Sequence, residues 1–129
     1  MTELSGRCLC GSVRLSVSGP VLNANHCHCE SCRRATSSGV ASFFTVARTD
    51  VELSGASLRR FVSSPGVTRG FCGTCGSPMS YETERRPAEI DLYIACLDDP
   101  SAIVPKAHDF WSERVGWLHV VDGLPKNEH

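Results

Sequence analysis

The nine residues His26-Cys27-His28-Cys29-Glu30-Ser31-Cys32-Arg33-Arg34 bring three thiols into six positions and then turn basic. Thiolate is a soft ligand, and a CxCxxC run suits a soft or borderline metal ion. In extended chain, side chains two apart share a face, so Cys27 and Cys29 point the same way, and one tight turn returns the Cys32 sulfur to the same ion. Three thiolates are one short of a closed tetrahedron. Structural zinc is closed by four protein ligands, whereas catalytic zinc usually keeps three and leaves a position open. The rest of the chain must therefore supply either a fourth ligand or a substrate.

Two further pairs, Cys8-Leu9-Cys10 and Cys72-Gly73-Thr74-Cys75-Gly76, carry four more sulfurs. The second is a CxxCG knuckle, whose glycines give the backbone the freedom to turn both sulfurs toward one ion. With Cys96 set aside, the simplest partition closes one tetrahedron with Cys8, Cys10, Cys72 and Cys75, a structural zinc that ties the first strand to a distant knuckle. Cys27, Cys29 and Cys32 then hold a second zinc with one position open, making two Zn2+ per chain. A rival partition fills that position with His26, His28, Glu30 or His108. His28 suits it least, because it lies between two ligands and should face the other way.

Three thiolates on a divalent ion sum to a formal charge of about -1, so this second metal is a weaker Lewis acid than a three-histidine site and a poorer source of hydroxide. Hydrolysis is the less natural use. An incoming thiol fits the vacancy better, held deprotonated well below its free value of about 8.5. A thiolate so placed is a nucleophile.

The elements that must position these residues are short. Cys8-Leu9-Cys10-Gly11 is expected to open the first ordered element, with Val13, Leu15 and Val17 alternating in the period of a half-buried strand until Gly19-Pro20. Val21 to Asn25 reads as a strand that delivers the chain into the Cys27 cluster, and Ser31 to Thr36 as a turn of helix broken by Ser37-Ser38-Gly39. Val40 to Ala47 reads as a buried strand, Val51 to Leu53 and Leu58 to Val62 as short alternating pieces, and Val67 to Phe71 as the approach to the knuckle. Glu82 to Pro87 is expected to be an exposed loop. Ile90, Leu92, Ile94 and Cys96 alternate with Asp91, Tyr93 and Ala95 as a strand, which makes Cys96 a buried thiol on an apolar face. Trp111 and Trp117 are expected in the core or its rim. Many short strands, frequent turn residues and no long amphipathic stretch argue for a mainly β fold with little helix.

At 129 residues the chain is expected to be one domain over residues 1–129, with a tail from about residue 124 that frays. A chain of that size needs no covalent staples. The start Met1-Thr2-Glu3-Leu4-Ser5-Gly6 shows no basic segment followed by an apolar one, so the expected compartment is the reducing cytoplasm, where eight cysteines point to metal or redox chemistry. Thirteen Lys plus Arg against fourteen Asp plus Glu give a formal net charge of -1, which offers no electrostatic case for nucleic acid or an anionic membrane. No apolar run approaches a membrane span.

Cys8-Leu9-Cys10-Gly11-Ser12-Val13, Cys27-His28-Cys29-Glu30-Ser31-Cys32-Arg33-Arg34 and Phe71-Cys72-Gly73-Thr74-Cys75-Gly76-Ser77-Pro78 together resemble the centromere protein V/Gfa-type family, named after glutathione-dependent formaldehyde-activating enzyme. Lys106-Ala107-His108 and Asp122-Gly123-Leu124-Pro125 resemble that family's usual ending. The likeness spans nearly the whole chain. It implies a mainly β, Mss4-like fold of short antiparallel strands with two zinc ions, structural at Cys8, Cys10, Cys72 and Cys75 and catalytic at Cys27, Cys29 and Cys32. It further implies a carbon-sulfur lyase acting on adducts such as S-hydroxymethylglutathione, with glutathione and an aldehyde as small-molecule partners. By residue type and family position, Arg33 or Arg34 is expected to engage a substrate carboxylate and His108 to relay a proton. The competing expectation is a non-catalytic zinc-stabilised binding module for a protein partner. His26 or His108 on the second metal would favour the module; a vacancy inside a pocket would favour catalysis.

Overall fold

The computed structural model describes residues 3–129; Met1 and Thr2 lie outside them. In chain order the strands are β1 (Glu3–Arg7), β2 (Arg14–Ser18), β3 (Asn23–Cys27), β4 (Ala41–Ala47), β5 (Val51–Ser54), β6 (Leu58–Ser64), β7 (Val67–Cys72), β8 (Pro78–Thr83), β9 (Glu89–Tyr93) and β10 (His108–Asp109). Among the described residues a single α-helix, α1 (Glu30–Thr36), lies between β3 and β4. The mainly β expectation, with little helix, holds. Strands β1, β2 and β5 form a small antiparallel sheet, and the other seven form a larger one in the order β10-β3-β4-β9-β8-β7-β6. No helix among the described residues is long and apolar enough to cross a membrane.

Period-two alternation decides what each face of the large sheet does. The register sets Ala24 against Phe44 and Phe44 against Leu92, and one residue away it sets Asn25 against Phe43 and Phe43 against Tyr93. The first row is fully buried with Val46, Ile90 and Met79, and packs on Leu4, Val13, Leu15 and Val17 of the small sheet side. Each such side chain contributes about 1.5–3 kcal/mol by leaving water. Gly6 of β1 lets the turn after β9 approach, because a Cβ there would collide with the Cys96 carbonyl oxygen. The second row continues through Asp91, Tyr81 and Arg69 across β9, β8 and β7, and it looks onto the cavity described below.

Several elements differ from the sequence expectation. The first ordered element is β1, which ends before Cys8, so the first cysteine pair sits in the turn between β1 and β2. Strand β3 lies two residues later than expected and ends on Cys27 itself. Strand β6 runs on to Ser64 and is exposed along nearly its whole length, because it forms the free edge of the large sheet. The segment from Glu82 is not all loop: β8 runs to Thr83, which is buried, and Arg86 is anchored to Glu89 and Asp91. The strand expected from Ile90 to Cys96 stops at Tyr93, where Ile94–Cys96 form a 3-10 turn. Asp91 and Tyr93 are buried too, since both faces of β9 are covered. Residues beyond 124, expected to fray, are tied down: His108 N–H donates to the Pro125 carbonyl, Asn127 N–H to the His108 carbonyl and Trp111 N–H to the Asn127 carbonyl.

Candidate metal centres

The turn after β1 and the end of β7 bring Cys8, Cys10, Cys72 and Cys75 together, with all four sulfurs within 4.8 Å of one another. Sγ–Sγ separations are 3.7 Å for Cys8–Cys10 and 3.8 Å for Cys10–Cys72. Zinc with Zn–S bonds of about 2.3 Å in a tetrahedron needs sulfurs ~3.8 Å apart, so this set fits the ion. Backbone N–H groups aim at the sulfurs as they do at thiolate: Val13 N–H reaches Cys8 Sγ at 3.2 Å, and the Thr74 and Cys75 N–H groups reach Cys72 Sγ at 3.4 Å. Gly76, at φ +82°, completes the knuckle in a conformation that disfavours any Cβ. Contact with Ser77, hydroxyl first and backbone second, holds the Cys75 thiol down at about 5.

Cys27, Cys29 and Cys32 form a second group within the same distance limit, and among the described residues no histidine, aspartate, glutamate or further cysteine joins it. Cys27 closes β3, and Cys29 is the N-cap of α1, its sulfur accepting from Cys32 N–H at 3.3 Å. The helix is short because Ser37 takes the left-handed conformation at its end, where the Ser-Ser-Gly run begins. The Cys27 and Cys29 sulfurs are 3.5 Å apart, close to the zinc value. Hydrogen bonds from Cys27 and then Cys32 lower the Cys29 thiol to about 2, while the same contact raises Cys27.

Arg69 from β7 stands against this group of sulfurs. It is 9% exposed, its guanidinium nitrogens lie 3.8 and 4.0 Å from Cys32 Sγ, and it stacks over the Tyr81 ring at 4.9 Å. Among the described residues no carboxylate pairs with it, so the thiolate cluster is its counter-ion. A cavity of about 1050 Å³ opens over the group, walled by Cys27, Cys29, Cys32, Phe43, Arg69 and Tyr93 among others. Arg34, Arg85 and Arg86 also reach it, against Asp91 and Glu113, so its lining carries a positive balance.

Behind the second cysteine group lies a cluster of histidines. His28 turns away from the sulfurs, as its place between Cys27 and Cys29 requires, and its Nε2 meets His108 Nδ1 at 2.8 Å. His108 Nε2 bonds the Asp122 carboxylate at 2.7 Å, so both ring nitrogens of His108 are engaged. The bond to His108 is the chief influence holding the Asp122 carboxyl below its usual range. Burial first, then the neighbouring His108, lowers His28 to about 4. His26 stacks on His108 at 4.7 Å and bonds Ser42. His26, His108 and Asp122 also come within ligand distance of one another, but His108 has both ring nitrogens engaged and faces His26 ring to ring.

Residues 3–113 match the family described as glutathione-dependent formaldehyde-activating enzyme. The chain belongs to this family. A Schizosaccharomyces pombe protein described as an uncharacterized lyase is 28% identical over 126 residues, which span 85% of this chain and 87% of that one. A Rhodobacter sphaeroides protein of known crystal structure superposes with a TM-score of 0.63 at 27% identity, covering 78% of this chain and 97% of that one. For a glutathione-dependent formaldehyde-activating family member, the seven expected ligand cysteines therefore fall into two groups, four and three.

Other expected site residues lie elsewhere. Glu30, His26, His28 and His108 do not join the trio of sulfurs. His108, 2% exposed, is absent from the cavity wall and is held by His28 and Asp122. Arg33 is also absent from the wall; its Nε donates to the His28 carbonyl. Arg34 reaches the cavity but is paired with Glu30 on the surface. Trp117, expected in the core or rim, is 70% exposed, whereas Trp111 packs on His28 and His108. Arg69 and Tyr93 escaped the sequence reading. A lone arginine in Val67-Thr68-Arg69-Gly70 and a tyrosine on a polar-looking strand face carry no spacing signal, and only the register of three strands brings them to the sulfurs.

Proposed function

We propose that this family member is a zinc-dependent carbon-sulfur lyase that makes or cleaves thiol-aldehyde adducts such as S-hydroxymethylglutathione. The observation that carries the reading is the three-sulfur group, with no fourth protein ligand among the described residues, facing a cavity of about 1050 Å³. A closed scaffold would have no use for that arrangement, which supports chemistry over the binding-module alternative. Cys27, Cys29 and Cys32 would hold the catalytic zinc, and Cys8, Cys10, Cys72 and Cys75 the structural one. When bound, the catalytic zinc supplies a coordination position that a thiol fills as thiolate.

The chain's own residues supply the rest. Arg69 balances the charge of the thiolates, so a further anion can approach without facing uncompensated repulsion. Arg85, exposed on the cavity rim, and Arg34 take the role first expected of the Arg33-Arg34 pair, attracting the carboxylates of a glutathione-like thiol. Phe43 and Tyr81 give the cavity apolar walls that displace water from the reacting carbon. The reaction forms or breaks one carbon-sulfur bond with no net oxidation. We further read residues 1–129 as one domain and place it in a reducing compartment, the cytoplasm, where thiol ligands remain available. Zinc quantitation with a turnover assay on glutathione plus formaldehyde tests the proposal. Two ions per chain and catalysed adduct turnover are expected; a zinc-loaded protein that leaves the uncatalysed rate unchanged would remove the enzyme reading.

A further inference from the structure

Tyr93 is the one residue of the cavity wall, among those described, with a buried polar side-chain atom lacking a hydrogen-bond partner. It is 6% exposed, and its ring is fixed against Phe43 with centroids 4.5 Å apart. The other polar groups of that face are engaged: Asp91 accepts from Thr45 and Arg86, Asn25 donates to Asp109, and Arg69 faces Cys32. A phenol O–H buried without a partner is costly, and replacing it by C–H at the same shape removes the cost. Its retention beside three sulfurs and an arginine matches a donor that waits for an oxygen brought by the substrate.

We propose that the Tyr93 hydroxyl is the hydrogen-bond donor to the oxygen of the thiol-aldehyde adduct, a role that rests on the lyase reading for its chemistry. In adduct formation the thiolate electron pair forms the C–S bond, the C=O π pair moves onto oxygen, and that oxygen takes a proton from water. In cleavage the C–S pair leaves with sulfur, the hydroxyl proton passes to water and the carbonyl re-forms. Tyr93 keeps its own proton in both directions. It stabilises the oxygen where negative charge develops, the work of a donor in an oxyanion site. The Arg69 guanidinium, close enough to Tyr93 to act on it electrostatically, can only donate toward the phenol oxygen, so it leaves the Tyr93 O–H without an acceptor and reinforces the same end of the cavity.

Tyr93→Phe keeps the ring and removes only the donor. In the zinc-loaded enzyme it should lower kcat for S-hydroxymethylglutathione by about 10²-fold, the size lost with one oxyanion donor, with metal content unchanged and Tm unchanged or higher. A second measurement does not require turnover. Wild type should bind S-hydroxymethylglutathione about tenfold more tightly than S-methylglutathione, which has no such oxygen, and Tyr93→Phe should bind the two equally. If wild type shows that preference without turnover, the lyase reading fails and the donor assignment stands. If Tyr93→Phe retains both the preference and the wild-type kcat, or if wild type shows no preference, the assignment is overturned.

Discussion

Cys29 does two things at once: it caps α1 through its sulfur, and it carries the lowered thiol of the trio. Serine is itself a good N-cap, so Cys29→Ser should keep the helix and the fold while removing one metal ligand. Metal quantitation should show zinc falling from about two ions per chain toward one, with an unchanged far-UV spectrum. Cys72→Ser should behave differently, because a closed zinc site contributes about 10–16 kcal/mol, as much as the whole stability of a typical domain. That variant should lose cooperative thermal unfolding. Cys96 belongs to neither group; it is partly buried against the Pro78 carbonyl and Met79. Burial pushes its thiol from 9.0 up to about 11. Because the folded value is raised, its contribution is fully present below pH 9.0 and is lost as pH rises toward about 11. Urea titrations should show wild type losing stability relative to Cys96→Ala across that alkaline window.

Strand β9 holds the site together at the scale of elements. One of its faces sets Ile90 and Leu92 into the core, and the other sets Asp91 and Tyr93 into the cavity wall. The alternation of Ile90, Leu92, Ile94 and Cys96 announced the first face, but nothing in the sequence announced that the second is covered as well. Strand β10 is short, and its parallel pairing places His108 opposite His26 and Asp109 opposite Cys27. The closing residues hold it and Trp111 beyond it through three backbone hydrogen bonds, two of them to His108. Ending the chain at Gly123 should therefore cost about 1.5–4.5 kcal/mol, at roughly 0.5–1.5 kcal/mol for each bond. The measurement is the denaturation midpoint. It should be accompanied by weaker zinc retention at the trio, because β10 supports the strand that delivers Cys27.

Over the whole molecule, the two sulfur groups sit on different architecture. The group of four joins the small sheet to the end of β7, while the group of three lies where β3 meets α1 and opens on the cavity. A four-thiolate zinc is enclosed by protein, whereas a three-thiolate zinc offers an incoming ligand a position. Chelator challenge at neutral pH, followed by released zinc and by circular dichroism, should accordingly run in two phases. About half the metal should leave first with the fold intact, and the remainder should leave together with the secondary structure.

The amino-acid sequence by itself determined the sulfur groupings, the turns that punctuate the chain and its mainly β character, because ligand spacing, glycine placement and period-two alternation are local properties. Helix α1 was legible for the same reason, as a turn over Ser31 to Thr36 broken by Ser37-Ser38-Gly39, although its start at Glu30 and its Cys29 cap were not. Tertiary structure alone decided which polar residues meet the sulfurs. Arg69, Tyr81, Asp91 and Tyr93 come from three strands and share a face only through cross-strand register, whereas Arg33 and His108, nearer the motif in sequence or in family position, are directed into the support of the cysteine loop. The physical reason is that a metal ligand set can be written in a few consecutive residues, but a cavity wall is made by pairing strands whose partners no local spacing specifies.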